Sequence, residues 1–194
     1  MKSKKKLVFA TNNPNKIAEV NAQLGDQYTF LSLADIGCTE EVPETSPTIP
    51  GNAIQKARYV YEKYGKNCFS EDTGLEIDAL DGAPGVLTAR YAGPARDAND
   101  NMQKVLDNLV DKKNRKGRFH TVICLILDGK EHLFEGYSEG TIAAEKSGNQ
   151  GFGYDPIFIP DGETETFAVM GFDRKKLYSH RARAVKQLVA FLEQ

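Results

Sequence analysis

Cysteine is scarce in this chain. Cys38, Cys68 and Cys124 are odd in number and far apart, which fits neither a disulfide framework nor a zinc site and leaves them as core residues. Long hydrophobic runs are missing too: no stretch could span a bilayer. The basic opening Lys2-Ser3-Lys4-Lys5-Lys6 leads into only four apolar residues, Leu7 to Ala10, too few for a signal-peptide core. The expectation is a cytoplasmic protein with no membrane partner. Charge of one sign is equally lacking, since a net charge of −2 supplies no bulk attraction to nucleic acid. The cation-dense stretch Lys112-Lys113-Asn114-Arg115-Lys116-Gly117 holds no aromatic residue and reads as a solvated connection, so no nucleic-acid partner is expected. There is no GxxxxGK[ST] phosphate loop and no internal repeat.

What is present is a chain of 194 residues, enough for one domain or a compact two-lobed one with a real core. Residues 5–10 read as an apolar strand running into Thr11-Asn12-Asn13-Pro14-Asn15-Lys16. A helix follows, with Ile17, Val20, Ala22 and Leu24 on its apolar side and a stop at Gly25; Thr or Asn ahead of a first-turn Pro is a standard entry. Such a terminus offers N–H groups and a positive dipole end to an anion, with Lys16 one turn in; a capped helix with no ligand fits the same residues. A second strand at 28–33 should lie parallel to the first. The loop Gly37 to Gly51 carries Glu40, Glu41 and Glu44, and its acids suit either a metal site or a solvated surface. From Asn52 to Tyr64 the spacing predicts an amphipathic helix, with Lys56 and Arg58 beside its buried stripe.

The densest signal is Ser70-Glu71-Asp72-Thr73-Gly74-Leu75, two adjacent acids read as lying at a strand end where a bend exposes them at a sheet edge. Acids gathered there hold a hard cation or move a proton, although Asp and Gly also mark plain turns. Asp81-Gly82-Ala83-Pro84-Gly85 and Arg90 to Pro94 are turn clusters, and Asp97 or Asn99 caps a helix through Met102, Val105, Leu106 and Leu109. Residues 119–127 and 132–142 read as two strands joined at Asp128-Gly129, a hairpin dipeptide. Gly151-Phe152-Gly153-Tyr154-Asp155-Pro156 pairs close backbone approach with aromatic faces on which a base could stack, or that simply fill a core. Ser179 caps a final helix opened by His180-Arg181, a donor-rich pair. The fold class is α/β with a mixed sheet.

Taken in order, these motifs resemble the inosine triphosphate pyrophosphatases, enzymes that hydrolyse non-standard purine nucleoside triphosphates. The resemblance runs from Leu7 to about Leu192 and rests on Thr11 to Lys16, Glu44 ahead of Asn52-Ala53-Ile54-Gln55-Lys56-Ala57, Glu71 to Leu75, Gly82 to Gly85, Phe152 to Asp155, and Ser179-His180-Arg181. It implies a single α/β domain over residues 1–194, a central mixed sheet flanked by helices, two lobes around a cleft, and a homodimer. It also implies Mg²⁺-dependent cleavage between the α and β phosphates of ITP, dITP or XTP, giving the nucleoside monophosphate and pyrophosphate. By the same resemblance Asp72 is the catalytic proton acceptor and a metal ligand, and Glu44 is the second ligand. Thr11, Asn12, Asn13, Pro14, Asn15, Lys16 and Lys56 would hold the triphosphate, with Thr73 near the substrate. Phe152, Gly153, Tyr154, Asp155, Lys175, His180 and Arg181 would enclose the nucleotide and its base.

Base choice has a chemical rationale in that assignment. Arg181 only donates, so it suits the 6-oxo group of inosine or xanthosine and opposes the 6-amino donor of adenine, at a cost on the order of 1–3 kcal/mol for the unpaired group. One departure stands out: Asn12 occupies the place where the family often has glycine, which puts phosphate affinity in question.

Overall fold

A computed structural model describes residues 5–23 and 28–194. The expected helix stop at Gly25 lies outside the described residues. The elements in order are β1 (Lys5–Phe9), α1 (Pro14–Asn21), β2 (Tyr28–Leu31), α2 (Ile49–Tyr64), β3 (Cys68–Ile77), α3 (Ala98–Asn108), β4 (Lys116–Leu127), β5 (Lys130–Ile142), β6 (Phe158–Pro160), α4 (Phe167–Met170), α5 (Phe172–Lys175) and α6 (His180–Leu192), with short 3-10 turns between. The sheet is mixed, in the order β2-β1-β3-β4-β5-β6. β1 pairs parallel with β2 and with β3, while β5 and β6 are antiparallel. Among the described residues no helix is long and apolar enough to cross a membrane.

The chain divides into two compact units. The first holds residues up to Asp72, Thr121–Gly136 and Arg181–Gln194. Its core joins Leu7 and Phe9 of β1, Val20 of α1, Phe69 of β3, Ile123 and Leu125 of β4, and Ala184, Val185 and Leu188 of α6. Phe9 and Phe69 stack with centroids 4.4 Å apart, which locks β1 against β3. Asn13 caps α1 ahead of Pro14, and Thr48 caps α2 through Gly51 N–H. That second cap starts α2 at Ile49, three residues before the expected Asn52, because Pro50 and Gly51 fit a first turn that needs few N–H partners.

The second unit holds Thr73–His120 and Tyr137–His180. Its core gathers Leu75 and Ile77 of β3, Met102, Val105 and Leu109 around α3, Phe119 of β4, and Ile142, Ile157, Phe158 and Phe167. Asp97 caps α3 as expected. Arg115 departs from the solvated-loop expectation: its guanidinium donates to the carbonyls of Leu109 (3.1 Å), Ile142 (2.8 Å) and Ala143 (2.7 Å). A planar fork of donors closes the carbonyl end of α3 and fastens it to the strand beside it.

Two readings of the acidic stretch are corrected. Ser70 to Leu75 lies inside β3, not in a turn, and β3 is an interior strand. The opening arises differently. β1 ends opposite Phe69, so Ser70, Glu71 and Asp72 run past the end of their neighbour on that side.

Candidate active site

In the first unit the charged residues of α1, α2, β3, the start of α6 and the loop before α2 form two adjoining clusters. The inner one is closed. Glu71 is 1% exposed and its carboxylate takes Arg181 Nε at 2.5 Å, Arg181 Nη2 at 3.1 Å and Lys16 Nζ at 2.7 Å. Arg181 Nη1 reaches Glu19 on α1. Burial pushes the Glu71 carboxyl upward, but Arg181 and then Lys16 outweigh it and hold the group well below the usual carboxylate range.

The outer cluster centres on Lys56, two turns into α2. Its Nζ lies 2.5 Å from Glu44 Oε1, 3.5 Å from Asp72 Oδ1 and 2.7 Å from the Glu71 carbonyl oxygen. Asp72 is mostly buried, and that burial raises its carboxyl; Lys56 and Lys16 pull it back, and the like charge of Glu44 adds to the rise. Two carboxylates sharing one ammonium are a hard oxygen pair with charge to spare, the donor set a divalent cation such as Mg²⁺ prefers. The expected pair Glu44 and Asp72 is thus brought together. Glu40, by contrast, goes elsewhere: its Oε1 accepts from Tyr59 and Tyr64 hydroxyls (2.7 Å each) and Lys63 (2.5 Å), anchoring the start of the loop.

The Thr11–Lys16 loop sits beside these clusters with its termini already partnered. The Asn13 side chain accepts from Asn15 N–H (3.0 Å) and Lys16 N–H (3.3 Å), and Asn13 N–H donates to the Thr11 hydroxyl (3.1 Å). Pro14 has no N–H to give. Of the two readings of this helix start, the structure shows the capped one for the N–H groups of Asn15 and Lys16, and the positive dipole end of α1 is unaffected by it. Asn12 is not among the residues with positive φ, so the missing glycine costs the backbone nothing.

In the second unit Asp155 is the organiser. Its Oδ2 accepts from Phe152 N–H at 3.0 Å and from Lys175 Nζ at 2.8 Å, and Asp155 and Lys175 are both buried. Gly151 makes this possible: it has φ +77°, and a Cβ there would stand 2.0 Å from Asp155 Oδ2. Lys175 Nζ lies 5.0 Å from the half-buried Phe152 ring. Gly153 also has positive φ, with open space where a side chain would be. His180 is buried and stacks on Phe119 at 4.6 Å, and Thr73 is half-buried on β3.

Two residues expected around the nucleotide have partners within the protein. Tyr154 is 4% exposed within the core and its hydroxyl donates to the Thr88 carbonyl at 2.7 Å, so its ring fills the core and offers no stacking face. Arg181, 1% exposed, directs all three guanidinium nitrogens to Glu71 and Glu19. Sequence reasoning passed over Glu19 and gave Glu71 no role of its own. The available signal was a cation-rich set, Lys16, Lys56 and Arg181, with too few named acids to balance it.

Fold and site together define an α/β protein with a cation- and phosphate-suited carboxylate–lysine cluster. The chain belongs to the Ham1 family, whose model matches residues 7–191. It is 54% identical over 187 residues to the dITP/XTP pyrophosphatase of Flavobacterium psychrophilum, covering 96% of this chain and 98% of that protein. It is 44% identical to the dITP/XTP pyrophosphatase of Bacillus subtilis, with 97% and 98% covered. The solved Ham1 proteins of Staphylococcus aureus and Coxiella burnetii superpose with TM-scores of 0.90 and 0.91, each at 36% identity over 97% of this chain and 98% of theirs.

Proposed function

We propose that this chain hydrolyses non-standard purine nucleoside triphosphates, ITP, dITP and XTP, to the monophosphate and pyrophosphate, and so cleanses the nucleotide pool. It is a nucleoside triphosphate pyrophosphohydrolase, in keeping with its relatives' names. The observation that carries the reading is the convergence of Glu44 and Asp72 on Lys56, with Lys16 close by.

Glu44 and Asp72 would hold Mg²⁺, which when bound supplies positive charge against the charge that builds on phosphate oxygens. Lys16 and Lys56 bind and orient a triphosphate of about four negative charges, and the α1 dipole adds to their pull. Asp72 accepts the proton of the water that attacks the α-phosphorus, the bond to the bridging oxygen breaks, and pyrophosphate leaves. Phe152 stacks on the base, with Asp155, Lys175 and His180 as the polar and positioning groups of its pocket. The enzyme works as a homodimer in the cytoplasm.

Pyrophosphate release from ITP, XTP, GTP, ATP and dTTP, each with Mg²⁺ and with EDTA, tests this. Metal-dependent release from ITP and XTP, with GTP and ATP far behind, is expected. A preference for dTTP would overturn the base assignment, and release undiminished by EDTA would overturn the metal.

A further inference from the structure

We infer that Asn52 is a positioning residue that sets Glu44 and Asp72 against each other, its amide working in both senses; this rests on the reading of those two carboxylates as the ligands of a divalent cation. Asn52 stands at the end of the first turn of α2 and is 3% exposed. A buried amide must satisfy an acceptor end and a donor end. Its Oδ1 accepts from Ser46 N–H at 2.9 Å, two residues beyond Glu44 in the chain. With the oxygen turned to an N–H, the amide nitrogen is left for the Asp72 carboxylate, whose hold on a proton Asn52 lowers. One side chain therefore links the loop that carries Glu44 to the strand that carries Asp72.

The neighbours of Asn52 on the same helix make the link rigid. Thr45 N–H donates to Gln55 Oε1 and Gln55 Nε2 donates back to the Thr45 hydroxyl, both at 2.8 Å, which pins the residue adjacent to Glu44. The loop lies directly on the helix: a Cβ at Gly51 would stand 1.9 Å from Ser46 Oγ. Asn52, Gln55 and Lys56 recur at the three- and four-residue spacing that shares one helix face. That face receives Ser46, Thr45 and Glu44 in reverse order along the chain. The entropy of ordering a long acidic loop is thereby lost on folding and not when the cation arrives.

The test uses the full chain with Mn²⁺ as probe. Binding of Mn²⁺ without nucleotide is followed by the electron paramagnetic resonance of the free ion, beside the melting temperature without metal and kcat and KM for dITP. Asn52→Ala should weaken Mn²⁺ binding about tenfold or more, the usual scale for a group that orients a ligand. It should also lower kcat more than it raises KM. Gln55→Ala should shift Mn²⁺ affinity a few-fold in the same direction. Asn52→Ala with a lowered melting temperature but wild-type Mn²⁺ affinity means a merely structural role and overturns the inference. If Asn52→Ala does not fold, the isosteric Asn52→Asp replaces it: the acceptor for Ser46 is kept and a carboxylate is turned on Asp72. Its kcat should fall about tenfold or more with the melting temperature near wild type; wild-type kcat overturns the inference. Glu44→Gln separates the two levels. If it binds Mn²⁺ as wild type does, the carboxylate reading itself fails.

Discussion

Replacing Glu71 by Gln keeps the shape of the inner cluster and removes one charge. In the folded chain Glu71 and Glu19 face Lys16 and Arg181, carboxylates and cations balanced, with the Glu71 side chain fully buried and that of Arg181 2% exposed. Glu71→Gln leaves Arg181 with Glu19 alone and takes from Lys16 the carboxylate it touches at 2.7 Å. Breaking one partner out of a buried pair costs about 3–5 kcal/mol, since an uncompensated charge stays behind. Gln retains an acceptor oxygen, so about 3 kcal/mol is the expected loss, or roughly 6–12 °C in Tm for a chain of this size. Far-UV circular dichroism during urea and thermal unfolding at pH 7 measures it. The sign of the pH dependence follows from the depressed carboxyl: Glu71 stabilises the fold above its unfolded pKa, and that contribution is lost as pH falls through the folded value. The gap between wild type and Glu71→Gln should therefore narrow in acid. A loss under about 1 kcal/mol at pH 7, or a gap that widens in acid, would refute the closed-cluster reasoning.

Arg115→Ala should destabilise by roughly 1–3 kcal/mol through the carbonyls it orphans, and hydrogen exchange should quicken first at the end of α3; unchanged exchange there argues against the staple. Burial pushes the Cys68 and Cys124 thiols up to about 12 from an ordinary 9.0, so both keep their protons in the fold while the unfolded chain ionises. Native protein should resist thiol reagents at pH 8, and stability should fall as pH rises from 9 toward 12, by on the order of 1 kcal/mol per thiol at pH 10; a Cys68→Ala, Cys124→Ala variant with the same alkaline slope would count against it. Lys56→Met removes the ammonium that shares Glu44 and Asp72, so Mn²⁺ binding without nucleotide should tighten about tenfold while KM for dITP rises; weaker Mn²⁺ binding would show that Lys56 shapes the site more than it competes for it.

Much of the fold was legible because local signals agreed with the tertiary ones. Pro14 behind Asn13, the apolar runs of β1 and β4, Asp97 ahead of α3 and the Asp128-Gly129 turn are each local chemistry with one outcome, and each appears. The carboxylates Glu44 and Asp72 and the cations Lys16 and Lys56 were legible as residue types at family spacing. What was not legible is which groups neutralise which. Arg181 looked free to meet a base because its partners, Glu71 and Glu19, are 110 and 162 residues away in sequence. The N–H groups of Asn15 and Lys16 stay undecided in the sequence because a cap and an anion site use the same residues, and only the fold tells that Asn13 has turned its oxygen inward. Tyr154 looked like a face for a base because composition does not register a hydroxyl already bonded to Thr88.

The adjacent acids Glu71 and Asp72 show how one strand divides structure from chemistry. Successive side chains of a strand point to opposite faces. On β3 that alternation sends Glu71 into a cluster where its charge is matched, and Asp72 to Glu44 and Lys56, where two carboxylates face a single ammonium. A matched, buried cluster has no reason to take up a further ion, since any addition would leave a charge uncompensated. The mismatched one has: its surplus of negative charge is lowered by a divalent cation, and the positive sites then present suit a polyanion. Glu71 and Asp72 carry the same charge, and it is the balance of cations around each that makes the first a part of the fold and leaves the second the one we propose for the reaction.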